Sequence, residues 1–208
     1  GVEWANDSQT LLYITLDASE RPFKLFRHTL GTDPQQDKLV FHEEDESCFL
    51  FIHKTRDQRY IFTNHHSNRM TEMRFLAANQ PEGELKMLSP RKEGVEYFAA
   101  HHEGHFFIIT NDQAENFKLM KANIEAPGIE NWEEVVPHRA DVLIDYVDTF
   151  KNYLVLYERR NGLRQIRVST FSTMTNVRYI EFPEPAYSVE LEANPDFDTN
   201  ILRFIYSS

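Results

Sequence analysis

Short apolar runs, each closed by a polar turn, follow one another along the whole chain, and no helix of ordinary length is predicted between them. The runs return at a fixed spacing. Leu12-Tyr13-Ile14-Thr15, Tyr60-Ile61-Phe62-Thr63, Phe107-Ile108-Ile109-Thr110, Leu154-Val155-Leu156-Tyr157 and Ile201-Leu202-Arg203-Phe204 share one pattern. The successive steps from Thr15 to Thr63, Thr110, Tyr157 and Phe204 are near-equal, about 47 residues each, and self-similarity at such a period marks a repeat architecture.

Each run is followed by a second apolar segment, at 23–26, 73–76, 117–120 and 163–168, so a hairpin recurs. A third segment lies at 39–41, 85–88, 132–136 and 177–182. A further one precedes the hairpin, at 2–5, 48–52, 95–99, 142–146 and 187–191. Four short strands per unit is the count of a propeller blade. Ser89-Pro90-Arg91, Pro137-His138-Arg139 and Pro183-Glu184-Pro185 suit the jumps between blades. A β-sandwich also has many short strands, but nothing in it requires four of them to return together at one fixed period. The pattern predicts an all-β fold, a β-propeller fragment of about four and a half blades of four antiparallel strands. The blades are expected at 1–41, 42–88, 89–136 and 137–182, with half a blade at 183–208. Such an array is expected to be a piece of a longer propeller and, with its end faces open, to associate with itself.

Several stretches resemble the propeller of the oligopeptidase B (protease II) branch of the prolyl oligopeptidase family. They include Val2-Glu3-Trp4-Ala5-Asn6-Asp7, Phe26-Arg27-His28-Thr29-Leu30-Gly31-Thr32, Glu93-Gly94-Val95-Glu96-Tyr97, Asn116-Phe117-Lys118-Leu119, Glu130-Asn131-Trp132 and Val136-Pro137-His138-Arg139. Asn161-Gly162-Leu163, Phe197-Asp198-Thr199 and Tyr206-Ser207-Ser208 continue the match in order. The resemblance implies a serine peptidase in which a seven-bladed propeller caps an α/β-hydrolase domain and admits only short peptides, cut after arginine or lysine. The loops Glu43-Glu44-Asp45-Glu46 and Ser172-Thr173-Met174-Thr175 share no motif with that family and inherit no role.

Composition narrows the partners. A formal charge of -11 repels nucleic acid and anionic membrane and favours short cationic peptides. With Cys48 the only cysteine, no internal disulfide can form, and a cytoplasmic location is expected. No apolar run is long enough to span a bilayer, and no leader is read at the start.

No catalytic, cofactor-binding or metal-ligating residue is assigned. The seven glycines, at 1, 31, 83, 94, 104, 128 and 162, are never four apart, so the Gly-x-Ser-x-Gly elbow of α/β-hydrolases is absent. His101-His102-Glu103-Gly104-His105 has zinc-type side chains but not the His-Glu-x-x-His spacing that puts two histidines on one helix face, and it is read as a solvated turn. His65-His66 is read in the same way. The run 43–46 is read as a charged surface link between blades, with attraction of cationic peptides as the functional alternative. Phe62, Phe107, Tyr153 and Phe204 recur at equivalent strand positions and are expected between blades; Trp4 and Trp132 are expected to be at least partly buried. The resemblance, with no nucleophile elbow in this chain, implies the non-catalytic gating domain of a serine oligopeptidase, partnered by an α/β-hydrolase domain. The alternative is a free-standing propeller serving as a protein-interaction scaffold.

Overall fold

The computed structural model describes every residue except Thr173 and Thr175, and those two lie in the loop to which the sequence assigns no role. Among the described residues the regular secondary structure is β, apart from two single 3-10 turns. Four sheets have four antiparallel strands each, and consecutive strands are neighbours. They are β1 to β4 (Val2–Trp4, Thr10–Leu16, Pro22–Thr29, Lys38–His42) and β5 to β8 (Phe49–Lys54, Tyr60–His66, Thr71–Ala77, Lys86–Ser89). β9 to β12 follow (Tyr97–His102, His105–Thr110, Lys118–Asn123, Glu133–Val136), then β13 to β16 (Leu143–Thr149, Tyr153–Arg160, Leu163–Thr170, Arg178–Tyr179). A fifth, two-stranded sheet pairs β17 (Ser188–Leu191) with β18 (Phe204–Ser207).

The chain divides into two compact units, Gly1–Glu96 with two sheets and Tyr97–Ser208 with three. Strand alternation explains how the sheets of each unit adhere, since a period of two puts one set of side chains on each face. In the first unit, Leu12, Ile14 and Leu25 of the first sheet are buried against Leu50, Ile61 and Leu76 of the second. In the second, Phe107, Ile109 and Leu119 pack with Ile144, Leu154 and Leu156, while the opposite face of β14 supplies Val155 and Tyr157 to a cluster with Val189 of β17. A blade made this way has two apolar faces. That is why the strands carry apolar residues at successive positions rather than in strict alternation.

The expected elements shift at two places. The run Ile201-Leu202-Arg203-Phe204 contributes only Phe204 to β18. The buried Asn194 side chain accepts a hydrogen bond from the Arg203 amide (2.7 Å) and donates to the Arg203 carbonyl (3.0 Å), which occupies the backbone that would have entered the ladder earlier. The expected strand at 177–182 shrinks to Arg178–Tyr179. Trp4, expected to be partly buried, is 46% exposed on an edge strand, whereas Trp132 is half-buried against Tyr97 with its indole N–H on the Pro127 carbonyl.

The turn joining β14 and β15 shows how local chemistry sets register. Asn161 and Gly162 both have positive φ, 52° and 79°, the two-residue geometry whose twist matches an antiparallel hairpin. Arg160 then faces Leu163, and the pairing runs unbroken to Tyr153 and Thr170. A Gly162→Ala variant is expected to lose about 1 kcal/mol of stability, the cost of a Cβ in the left-handed region. An unchanged urea midpoint would show that the turn relaxes instead.

Candidate functional site

The segments that the sequence singles out for their chemistry are internal. His101 and His102 are not in a solvated turn; they are the last residues of β9, 1% and 4% exposed. Only Glu103 and Gly104 form the turn. As neighbours on one strand, the two histidines point to opposite faces. The His101 ring accepts from the Gly104 amide (3.3 Å), while the His102 ring meets the Lys151 carbonyl (2.9 Å) and stacks on Phe171 at 3.5 Å between centroids. Among the described residues, no three His, Cys, Asp or Glu side chains converge as metal ligands. His65 and His66 likewise lie in β6, with His65 fully buried.

The run 43–46 is not simply a surface link. Glu43 is 3% exposed and anchors a buried ionic node. Its Oε2 accepts from Arg91 Nη2 (2.7 Å) and lies 2.8 Å from His65 Nδ1, and its Oε1 accepts from the Asp45 amide (3.0 Å). The other ring nitrogen of His65 is 3.0 Å from the Thr63 hydroxyl, so an Nδ1 proton directed at Glu43 satisfies both nitrogens. Arg91 also reaches Asp45, the Cys48 sulfur (3.2 Å) and, through Nε, Glu72 (3.3 Å), which pairs in turn with Arg74. From the β2–β3 turn, Arg21 donates Nη1 to the carbonyls of Glu43, Asp45 and Cys48. Burial would push the Glu43 carboxyl up, but the hydrogen bonds of His65, Arg91 and the Asp45 amide, with the charge of Arg91, outweigh it and bring the pKa down to about 2. Burial also raises the Cys48 thiol, which leaves it a poor nucleophile.

A second node lies in the other unit. Glu158 of β14, fully buried, accepts from Arg139 Nη2 (2.5 Å) and Nη1 (3.2 Å) and from the Tyr179 hydroxyl (3.0 Å). Glu43, Arg91 and Arg139 follow one another at the repeat interval, each in the link after a sheet's last strand. Glu43 and Arg139 both reach into the second strand of the following sheet, where they meet His65 and Glu158. The links at Glu43 and Arg139 thus act as charged pins between consecutive sheets of one unit, and what they do chemically is fasten. The period and the links are both legible in the sequence, but apolar runs alone define the repeat there; the links compared at the same interval expose the pins.

A family model described as the prolyl oligopeptidase N-terminal β-propeller domain matches residues 1–208. The chain belongs to that family. Its sheets are therefore propeller blades, as the repeat predicted. Dipeptidyl aminopeptidase BI of Pseudoxanthomonas mexicana is 36% identical over 99% of this chain and 28% of its own length. Protease 2 of Moraxella lacunata is 30% identical over 100% of this chain and 29% of its own. Among solved structures, oligopeptidase B from Trypanosoma brucei with covalently bound antipain, in its closed form, superposes with a TM-score of 0.93 at 26% identity, covering 100% of this chain and 31% of that one. The chain thus spans less than a third of the length of the relatives it matches. Propeller domains of this family form part of peptidases, and no helix among the described residues is long and apolar enough to cross a membrane.

Proposed function

We propose that this chain is part of the gating propeller of a cytoplasmic serine oligopeptidase that cleaves short peptides after arginine or lysine. The observation that carries the reading is the likeness of the whole chain to part of oligopeptidase B, joined to its match with the family's N-terminal β-propeller domain. The chemistry resides in a partner α/β-hydrolase domain supplied by the rest of the parent protein, and the propeller acts by exclusion. An extended strand is about 5 Å across in the plane of a sheet, whereas a folded domain of about 100 residues has a radius of gyration near 13 Å. A narrow ring therefore passes the first and stops the second. The charge of -11 adds long-range attraction for cationic peptides and repels nucleic acid and anionic membranes.

Two measurements test this. The chain alone should not hydrolyse arginyl or lysyl substrates, and turnover abolished by a serine-directed inhibitor would refute the division of labour. The full-length peptidase should cleave a short arginine-containing peptide with kcat/KM at least about a hundredfold above that for the same sequence displayed on a folded protein. Equal rates would rule out gating by size.

A further inference from the structure

The hairpin tip between β14 and β15 carries a reactive pair. Asn161 is the only asparagine of the chain that is followed by glycine, and both residues are exposed. The sheet beneath them gives one face to the third sheet and the other to the fifth, all within the Tyr97–Ser208 unit, so the tip stands beyond the packed part of its blade. Among the described residues the Asn161 amide has no hydrogen-bond partner, and a Cβ placed on Gly162 would meet nothing within 4 Å. Asn161 is held at a φ of 52°, a left-handed conformation that strains any residue but glycine.

We propose that Asn161 is a site of spontaneous deamidation, converted through a cyclic imide to aspartate and isoaspartate. The Gly162 backbone nitrogen attacks Cγ of Asn161 and forms a C–N bond; the Cγ–Nδ2 bond breaks, and Nδ2 leaves as ammonia with the proton that the Gly162 nitrogen gives up. Water then opens the ring at Cγ to give aspartate, or at the backbone carbonyl to give isoaspartate. Nothing is oxidised or reduced, and water is the only co-reactant. Closure requires the Asn161 backbone to rotate until the nitrogen faces Cγ, so the rate follows local opening of the tip rather than unfolding of the blade. The absence of a side chain on Gly162 leaves that approach unobstructed.

The two products act differently on the hairpin. Aspartate keeps the turn, because it tolerates the left-handed region as asparagine does. Isoaspartate carries the main chain through the side-chain carbon, one atom longer than the two-residue turn accommodates, and the pairing of Arg160 with Leu163 is lost. The loosening ends a few residues in. Glu158, opposite Gln165, is held by Arg139, and the next pair, Tyr157 and Ile166, is fully buried against the fifth sheet. The modification therefore marks the tip with a negative charge and a frayed turn and leaves the packing between sheets in place. It does not depend on the peptidase reading.

The test ages the full, folded chain in mildly alkaline buffer, maps every asparagine by peptide mass spectrometry, and counts isoaspartate with an isoaspartyl methyltransferase and labelled S-adenosylmethionine. Conversion at Asn161 is expected to run about tenfold or more faster than at any other asparagine, since each of those is followed by a residue with a side chain. Asn161→Gln, whose longer side chain closes a larger and slower-forming ring, should remove most of the methyl incorporation. Hydrogen exchange of the aged chain should show lost protection at residues 159–164 and retained protection at 153–157, whereas Asn161→Asp, which has the charge without the longer backbone, should keep both. An Asn161 that persists as long as the other asparagines, or methyl incorporation undiminished in Asn161→Gln, would overturn the site. Protection lost equally in Asn161→Asp, or lost along the whole of β14, would overturn the account of how isoaspartate acts on the turn.

Discussion

Glu43→Ala is expected to destabilise the Gly1–Glu96 unit by about 3 kcal/mol, the lower end of the cost of breaking a buried ion pair, because Arg91 retains some access to water. The substitution leaves His65 without its carboxylate in a site with no exposure and frees the Asp45 amide and the Arg91 guanidinium. Hydrogen exchange of the β6 amides, together with a urea transition, reads the loss directly. The same group predicts a dependence on pH. Its carboxyl is held at about 2 in the folded chain against 4.5 ordinarily, so the stability it contributes is complete above pH 4.5 and disappears as pH falls toward 2. A difference of that size corresponds to on the order of 3 kcal/mol, the same order as the loss expected for Glu43→Ala. The variant should therefore lose less stability than the parent between pH 4.5 and 2. Parallel acid curves would show that Glu43 is not the group responsible.

How far the sequence discloses this molecule depends on which residues are asked. The blade count comes from apolar spacing, because each sheet must bury both faces and the need recurs once per blade; Phe62 and Phe107 are buried as that logic requires. Trp4 breaks the same logic, for it sits on an edge strand and stays 46% exposed. The polar residues are harder. A histidine at the end of a strand and one in the adjoining turn look alike in a string of letters, so the sequence puts His101 and His65 a step too far toward solvent. Glu43 looks like any acid in a charged run, and its burial depends on Arg91, one full repeat further along the chain. Polar burial is decided by partners, and partners are fixed by register, which single residues do not reveal.

Register also explains why two pins of similar form should respond differently to removal. At Glu158 the guanidinium of Arg139 and the hydroxyl of Tyr179 converge on one carboxylate, with Arg167 at 3.7 Å, and both arginines and the tyrosine keep some exposure. Glu158→Leu alone should cost about 3 kcal/mol, because it strands positive charge beside an apolar site. With Arg139→Leu added, most of that loss should return, to within about 1 kcal/mol of the parent, since Tyr179 and Arg167 can turn to water and the two leucines can pack together. At Glu43 the same exchange should fail: the carboxylate accepts from the Asp45 backbone amide, which no partner substitution removes, and Arg21 holds the same link through its carbonyls. Urea unfolding of the two single and two double variants decides the matter. Recovery at the Glu158 pair and none at the Glu43 pair is the expected outcome; equal recovery at both would mean that the links are fastened by charge pairing alone and that the backbone contacts of Glu43 contribute nothing.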